Sequence, residues 1–205
     1  MNQHIISIFI PLALLYIIFW IWYGGNGQRM SAQEIEESIQ ALKSTDLANI
    51  NEAEIEDVRQ LLSSDDGKEF VMQNLVRYRA KALYPKGSPY SDDPREADKR
   101  YGKSIIGDLL RYGNLVIFIA RKSGDFVKPE GADAWHYVAM VRYRSRRDFV
   151  RFLIRANQAE KFMHKWAAIE KTHVFPVKPI ISLLAVRTLM GLGLLTLGLL
   201  IATFL

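Results

Sequence analysis

The chain has 205 residues, with 27 Lys and Arg against 22 Asp and Glu, a formal net charge of +5 and no cysteine. The lack of cysteine excludes disulfides, thiolate zinc sites, iron–sulfur clusters and cysteine nucleophiles. The overall charge hides an asymmetry: from Ser31 to Asp66 acidic residues outnumber basic ones by about ten to two, so the remainder is strongly basic.

Ile5 to Tyr23 carries no charge, and neither does Thr188 to Leu205. Each run has about the 18–20 apolar residues that a helix needs to cross the hydrocarbon core. Backbone groups in hydrocarbon must be satisfied within the segment, which makes both runs helices. A cleaved signal peptide is the alternative for the first run. No Lys or Arg precedes it, and Tyr23-Gly24-Gly25-Asn26 is not a small-x-small cleavage site, so an uncleaved anchor is the better reading. A buried core helix is the alternative for the second run, but only Thr188, Thr196 and Thr203 interrupt its apolar surface. With a helix start near Ile180, Arg187 would lie roughly 10 Å along it and would have to snorkel to the headgroups. Gly198 and Ala202 form a small-xxx-small pair suited to a close helix neighbour. Basic residues cluster on the inner flanks: Arg29, Lys171, Lys178 and Arg187. By the positive-inside rule this predicts a two-pass protein of a bacterial inner membrane, with a cytoplasmic central domain and both termini outside.

Gly24-Gly25-Asn26-Gly27 predicts a flexible break. Ser31 with Glu34, and Asn51 with Glu54, predict capping boxes that open two amphipathic acidic helices. Packing on the following domain is their expected role, and a partner surface is the sharper alternative. The resulting division is an anchor over 1–24, an acidic helical linker over 25–69, a domain over 70–179 and a second span over 180–205.

Within the domain, Phe70 to Arg79 predicts a strand. Pro94 to Tyr112 predicts a helix with the stripe Ala97, Tyr101, Ile105, Leu109, Tyr112, and Gly113 stops it. Asn114 to Lys122 predicts a strand apolar on both faces, and Trp135 to Arg144 another. Arg146 to about Lys171 predicts helix with a break near Asn157, and Thr172 to Val177 a last short strand. The order is βαββαβ, an α+β class. Leu75-Val76-Arg77-Tyr78-Arg79 and Met140-Val141-Arg142-Tyr143-Arg144 also repeat one another, each followed by a helix and a strand. A duplicated βαβ unit is the mark of the ferredoxin-like split fold, although convergence on good strand residues would give the same short match.

Phe70-Val-Met-Gln-Asn-Leu-Val-Arg-Tyr-Arg79, Leu109-Leu110-Arg111-Tyr112-Gly113, Trp135-His-Tyr-Val-Ala-Met-Val-Arg-Tyr-Arg-Ser-Arg-Arg-Asp148 and Glu170-Lys-Thr-His-Val-Phe-Pro176 resemble a bacterial family of small uncharacterised proteins of the dimeric α/β-barrel superfamily. The resemblance covers Phe70 to about Pro179. It implies two subunits paired sheet to sheet, with a cavity beside each sheet. That superfamily includes cofactor-free monooxygenases, lactone isomerases, haem-dependent enzymes and members with no known chemistry. The two spans and the acidic helices lie outside the family pattern.

His136 lies on the third predicted strand, where alternation with Trp135 and Tyr137 points it at one sheet face; it is the preferred pocket histidine, with Asn74 and Tyr78 as orienting groups. A satisfied structural histidine is the commoner outcome for such a residue. Glu160 and His164 share a helix face at i, i+4, a spacing that chance also produces. His164 and His173 carry no specific sign of a haem ligand, no zinc-type spacing occurs, and no cofactor is called for. The arginine pairs at the ends of strands one and three should lie at opposite edges of an antiparallel pair. Arg146, Arg147, Arg151 and Arg155 form a solvated face, a patch for anionic lipid, or a site that the acidic linker from Glu34 to Asp66 neutralises within the protein. Two functions follow from this reading. One is a membrane-tethered homodimeric binding or accessory module, for an apolar ligand or a membrane-protein partner. The other is a cofactor-independent oxygenase or isomerase on an apolar substrate. Nucleic acid is not an expected partner, because no recognised binding motif is present.

Overall fold

The computed structural model describes residues 3–24, 27–45, 51–157, 159–180 and 185–204. The chain divides into two units, Met1–Gly27 with Pro179–Leu205, and Gln28–Lys178. Half of the expected flexible break, residues 25 and 26, lies outside the described residues, as do 181–184, where the second span was expected to begin.

The first unit pairs α1 (Gln3–Tyr23) with α7 (Val186–Thr203). Both are long and apolar enough to cross a membrane. Glycines on α7 make room for aromatic rings of α1. A Cβ on Gly198 would stand 2.6 Å from the Phe9 ring, and one on Gly191 would stand 3.2 Å from Tyr16. Seven residues are two helical turns, so both glycines face the same way. Gly198, one member of the expected Gly198–Ala202 pair, thus faces a neighbouring helix, and Gly191 faces it as well. Because α7 starts at Val186, Arg187 lies in its first turn rather than about 10 Å along it. Its guanidinium sits 4.6 Å over the Trp20 ring and 5.7 Å over the Tyr23 ring. An aromatic end to α1 therefore holds the cation that the sequence would have sent snorkelling.

The second unit is a mixed α+β structure on a four-stranded antiparallel sheet. Its strands are β1 (Phe70–Tyr78), β2 (Leu115–Arg121), β3 (Tyr137–Tyr143) and β4 (Ile169–Val177), ordered β4-β1-β3-β2. Phe70 stands opposite Tyr143 and Val76 opposite Tyr137. Arg77 and Arg142 consequently lie at opposite ends of the β1–β3 pair, each with its own acid: Arg77 with Glu170, Arg142 with Glu69. The helix expected to run to Lys171 ends instead at Ala168, and β4 begins at Ile169. Glu170 and Lys171 favour helix locally, but pairing with β1 and burial of Ile169 at 3 % exposure override that preference.

Helices α4 (Pro94–Arg111), α5 (Arg146–Ala156) and α6 (Ala159–Ala168) contribute to the cores on one face of the sheet. Asp93 caps α4 by accepting from the Arg95 N–H at 2.8 Å, with Pro94 at the first position, and Gly113 stops the helix with φ 68°. The break expected near Asn157 is present, and Asn157 caps the end of α5. Phe70, Met72, Tyr143, Leu109, Phe149 and Phe152 form the core between sheet, α4 and α5. The opposite sheet face carries Leu75, Phe118, Val138, Met140 and Phe175. These residues belong to none of the three buried clusters among the described residues.

The acidic helices α2 (Ala32–Lys43) and α3 (Glu52–Ser63) pack on the far side of α5. Ile35, Ile39, Leu42, Ile55 and Leu62 close over Val150 there. Asn51 and Glu54 form the reciprocal capping box, at 2.8 and 3.1 Å. At α2, Ser31 accepts from the Glu34 N–H at 3.1 Å, but the Glu34 carboxylate turns to Arg147.

Candidate functional site

A cavity of about 710 Å³ lies between the helix-covered sheet face and α4. Alternation along β1 sends Asn74, Val76 and Tyr78 into it, and alternation along β3 sends Tyr137, Ala139 and Val141. A bulge between Val116 and Phe118 lets β2 present Val116, Ile119 and Arg121 to the same space. From α4 come Arg95, Asp98, Tyr101, Ile105 and Leu109, spaced at three and four residues on one face.

The three residues expected to form a site, His136, Asn74 and Tyr78, all line this cavity. One side-chain atom of each is engaged within the fold: Asn74 Nδ2, His136 Nδ1 and Tyr78 Oη. Asn74 Nδ2 donates to the carbonyls of Met72 and Ala139, at 3.2 and 3.4 Å. His136 precedes β3, is exposed, and its Nδ1 accepts the Tyr78 N–H at 2.9 Å. The β1–β4 register shifts between Arg77 and Tyr78, and His136 takes up that N–H at the irregularity. An accepting Nδ1 must be bare, so the neutral ring carries its proton on Nε2. The ring also stacks on Tyr78, with centroids 5.6 Å apart.

Asp98 joins the polar end of the cavity together. Tyr78 Oη donates to Asp98 Oδ2 at 2.8 Å, and Tyr137 Oη donates to Oδ1 at 3.3 Å. Burial raises the Asp98 carboxyl above its ordinary range, and the two phenols pull it back. Burial first, and then Asp98, push both phenols up, so they remain donors. Sequence reasoning missed Asp98. The available signal was its place three residues before Tyr101 and seven before Ile105, a carboxylate on the stripe taken as core. Lys165 of α6 also lines the cavity, with its ammonium 4.8 Å over Trp166, 5.1 Å over Phe162 and 5.9 Å over Tyr101. Desolvation pushes it down to about 8, against the opposing charge of Glu54.

The other candidates are scattered. His164 is buried and shares a 2.8 Å hydrogen bond with Tyr84 Oη, edge-on to Tyr84 and Tyr90, instead of pairing with exposed Glu160. His173 is exposed on β4 beside Phe175. Among the four arginines expected to face lipid, three are tied to acids. Arg147 meets Glu34 at 2.5 and 3.0 Å and donates to the carbonyls of Gln28 and Arg29. Arg146 meets Asp66 at 3.1 Å and Asp65 at 3.7 Å, and Arg155 meets Asp108 at 2.6 Å. Arg151 is exposed. The start of α5 is therefore the seat of the acidic helices, because their carboxylates reach it before solvent does.

No protein-family model matches the chain, and no curated protein does. Among solved structures, the chain is similar to RPA0582, a protein of unknown function from Rhodopseudomonas palustris. The TM-score is 0.54 at 24% identity, over 65% of this chain and 97% of that one. The structure of the methylated form of RPA0582 gives 0.53 at 25% identity, over 65% and 94%. The likeness shows the fold.

Proposed function

We propose that this chain is a two-pass membrane protein whose 28–178 unit is a dimeric, ferredoxin-like βαββαβ domain that binds an apolar small molecule between its sheet and α4. The cavity carries the reading. About 710 Å³ is within the range of ligand sites, and Val76, Ile105, Leu109, Val116, Ile119 and Val141 line it around a few polar groups. The strand order β4-β1-β3-β2 with two βαβ halves supports the ferredoxin-like assignment. The apolar open sheet face supports a second copy packed sheet to sheet, as in the dimeric α/β-barrel proteins. Phe118 on that face is 43 % exposed. Binding has more support than catalysis, because the Nδ2 of Asn74 and the Nδ1 of His136 already hold the fold together.

Two helices apolar all round, with most of their large side chains exposed, support membrane insertion. The basic flanks support a cytoplasmic 28–178 unit. Anionic lipid as a partner keeps only narrow support, from Arg151. Solvent extraction of the purified chain tests the cavity: a small molecule should be recovered from wild type and lost in Ala139→Trp, whose indole fills the space. Equal recovery from both would contradict the reading.

A further inference from the structure

The cavity is polarised along its length. One end gathers Tyr78, Tyr137, Asp98, Arg95 and Arg121, while the other is walled by Ile105, Leu109, Val116, Val141 and Phe152. From Tyr137 to Val141 the strand rises about 14 Å. A uniformly apolar ligand would leave the polar end unmatched, and a small polar ligand would leave the apolar end unfilled. The complement to such a space is an amphiphile.

The charges at the polar end give the sign of its head. Four basic side chains line the cavity, Arg95, Arg121, Lys122 and Lys165, against two acidic ones, Asp98 and Asp125. Lys122 and Asp125 pair with each other. The Asp98 oxygens are covered by the Tyr78 and Tyr137 phenols. Arg95 and Arg121 are exposed, come from α4 and from the last residue of β2, and form no ion pair among the described residues. Arg121 stands opposite Tyr137 in the β2–β3 register, and Arg95 lies three residues before Asp98 on α4, so both line the phenol-bearing end of the cavity.

Building on the binding function proposed above, we infer that the ligand is a single-chain anionic amphiphile, such as a carboxylate. Its head lies between the Arg95 and Arg121 guanidinium groups, and its chain runs along the sheet toward Leu109 and Val116. Guanidinium groups suit a carboxylate because they donate in pairs to its two oxygens.

The test is photolabelling of the full chain in lipid nanodiscs. The probes are a decanoate and a decan-1-ol, each bearing a diazirine near the chain end, and labelled peptides are mapped by mass spectrometry. The acid should label segments 105–109 and 116–119, and excess decanoate should compete where decan-1-ol does not. Arg95→Gln with Arg121→Gln should cut acid labelling about tenfold, equivalent to about 1.4 kcal/mol, and leave alcohol labelling unchanged. Both arginines are exposed, so the pair of changes leaves the core intact, and an unaltered thermal unfolding curve verifies this. Equal labelling by acid and alcohol, with no effect of the arginine changes, would overturn the anionic head while keeping the cavity. Labelling of neither segment by either probe would overturn the cavity reading as well.

Discussion

Arg147→Met should detach the acidic helices from α5 without unfolding the sheet. The Arg147 side chain is 11% exposed and its Glu34 partner 32%. The same guanidinium holds the carbonyls of Gln28 and Arg29, where the segment leading into α2 begins. Removing one partner of a buried pair costs about 3–5 kcal/mol. Glu34 keeps part of its solvation, so the lower bound, about 3 kcal/mol, applies here. The methionine keeps the apolar stem, which confines the loss to the charge and its hydrogen bonds. Hydrogen–deuterium exchange of the full chain in nanodiscs would read the effect. Amides of α2 and α3 should lose protection by about a hundredfold, while β1 and β3 keep theirs. Adding Glu34→Leu should restore much of it, since an apolar pair of similar volume is often neutral. Unchanged protection in α2, or an equal loss across the sheet, would show that Arg147 does not hold the acidic helices on α5.

Four further outcomes are expected. Burial first, and then the Arg100 charge, hold His164 below its ordinary range, so its contribution to stability is full above the usual histidine pKa and falls as acid protonates the folded ring. The protection factors of the Tyr84–Tyr90 segment, corrected for the intrinsic exchange rate, should fall between roughly pH 7 and pH 5, and His164→Gln should flatten that dependence. Gly198→Ile should push Phe9 away and weaken the α1–α7 pair by about 1–3 kcal/mol, read as a lower yield of disulfide between cysteines engineered on the two helices. Phe118→Glu should shift sedimentation of the detergent-extracted chain from dimer to monomer; a monomeric wild type would count against the second copy. Cysteines placed at Asn2 and Ser88 report orientation through an impermeant thiol reagent on intact cells. Labelling at Ser88 but not at Asn2 would reverse the cytoplasmic assignment.

The strands were legible because Phe70, Met72 and Val76 alternate with residues of the other face, and two helix starts because Ser31 and Asn51 are capping residues. The α6–β4 boundary was not. Glu170 and Lys171 look helical until Arg77 and Asp133 are brought alongside them. The arginine run at the start of α5 left three readings open for a related reason. Its partners Asp66 and Glu34 lie 80 and 113 residues away, a distance no local pattern spans. The cavity was half legible. Asn74, Tyr78 and His136 do line it, but Asp98 lay hidden on a stripe whose apolar members mark core. Only the facing phenols of Tyr78 and Tyr137 reveal it as a polar anchor.

Native mass spectrometry of the intact assembly, released from nanodiscs, reads ligand and second copy together. Wild type should appear as a dimer carrying a small-molecule adduct on each chain, with the adduct lost and the dimer kept in Ala139→Trp. A bare chain with no adduct in wild type, or an adduct that survives the filled cavity, would contradict it.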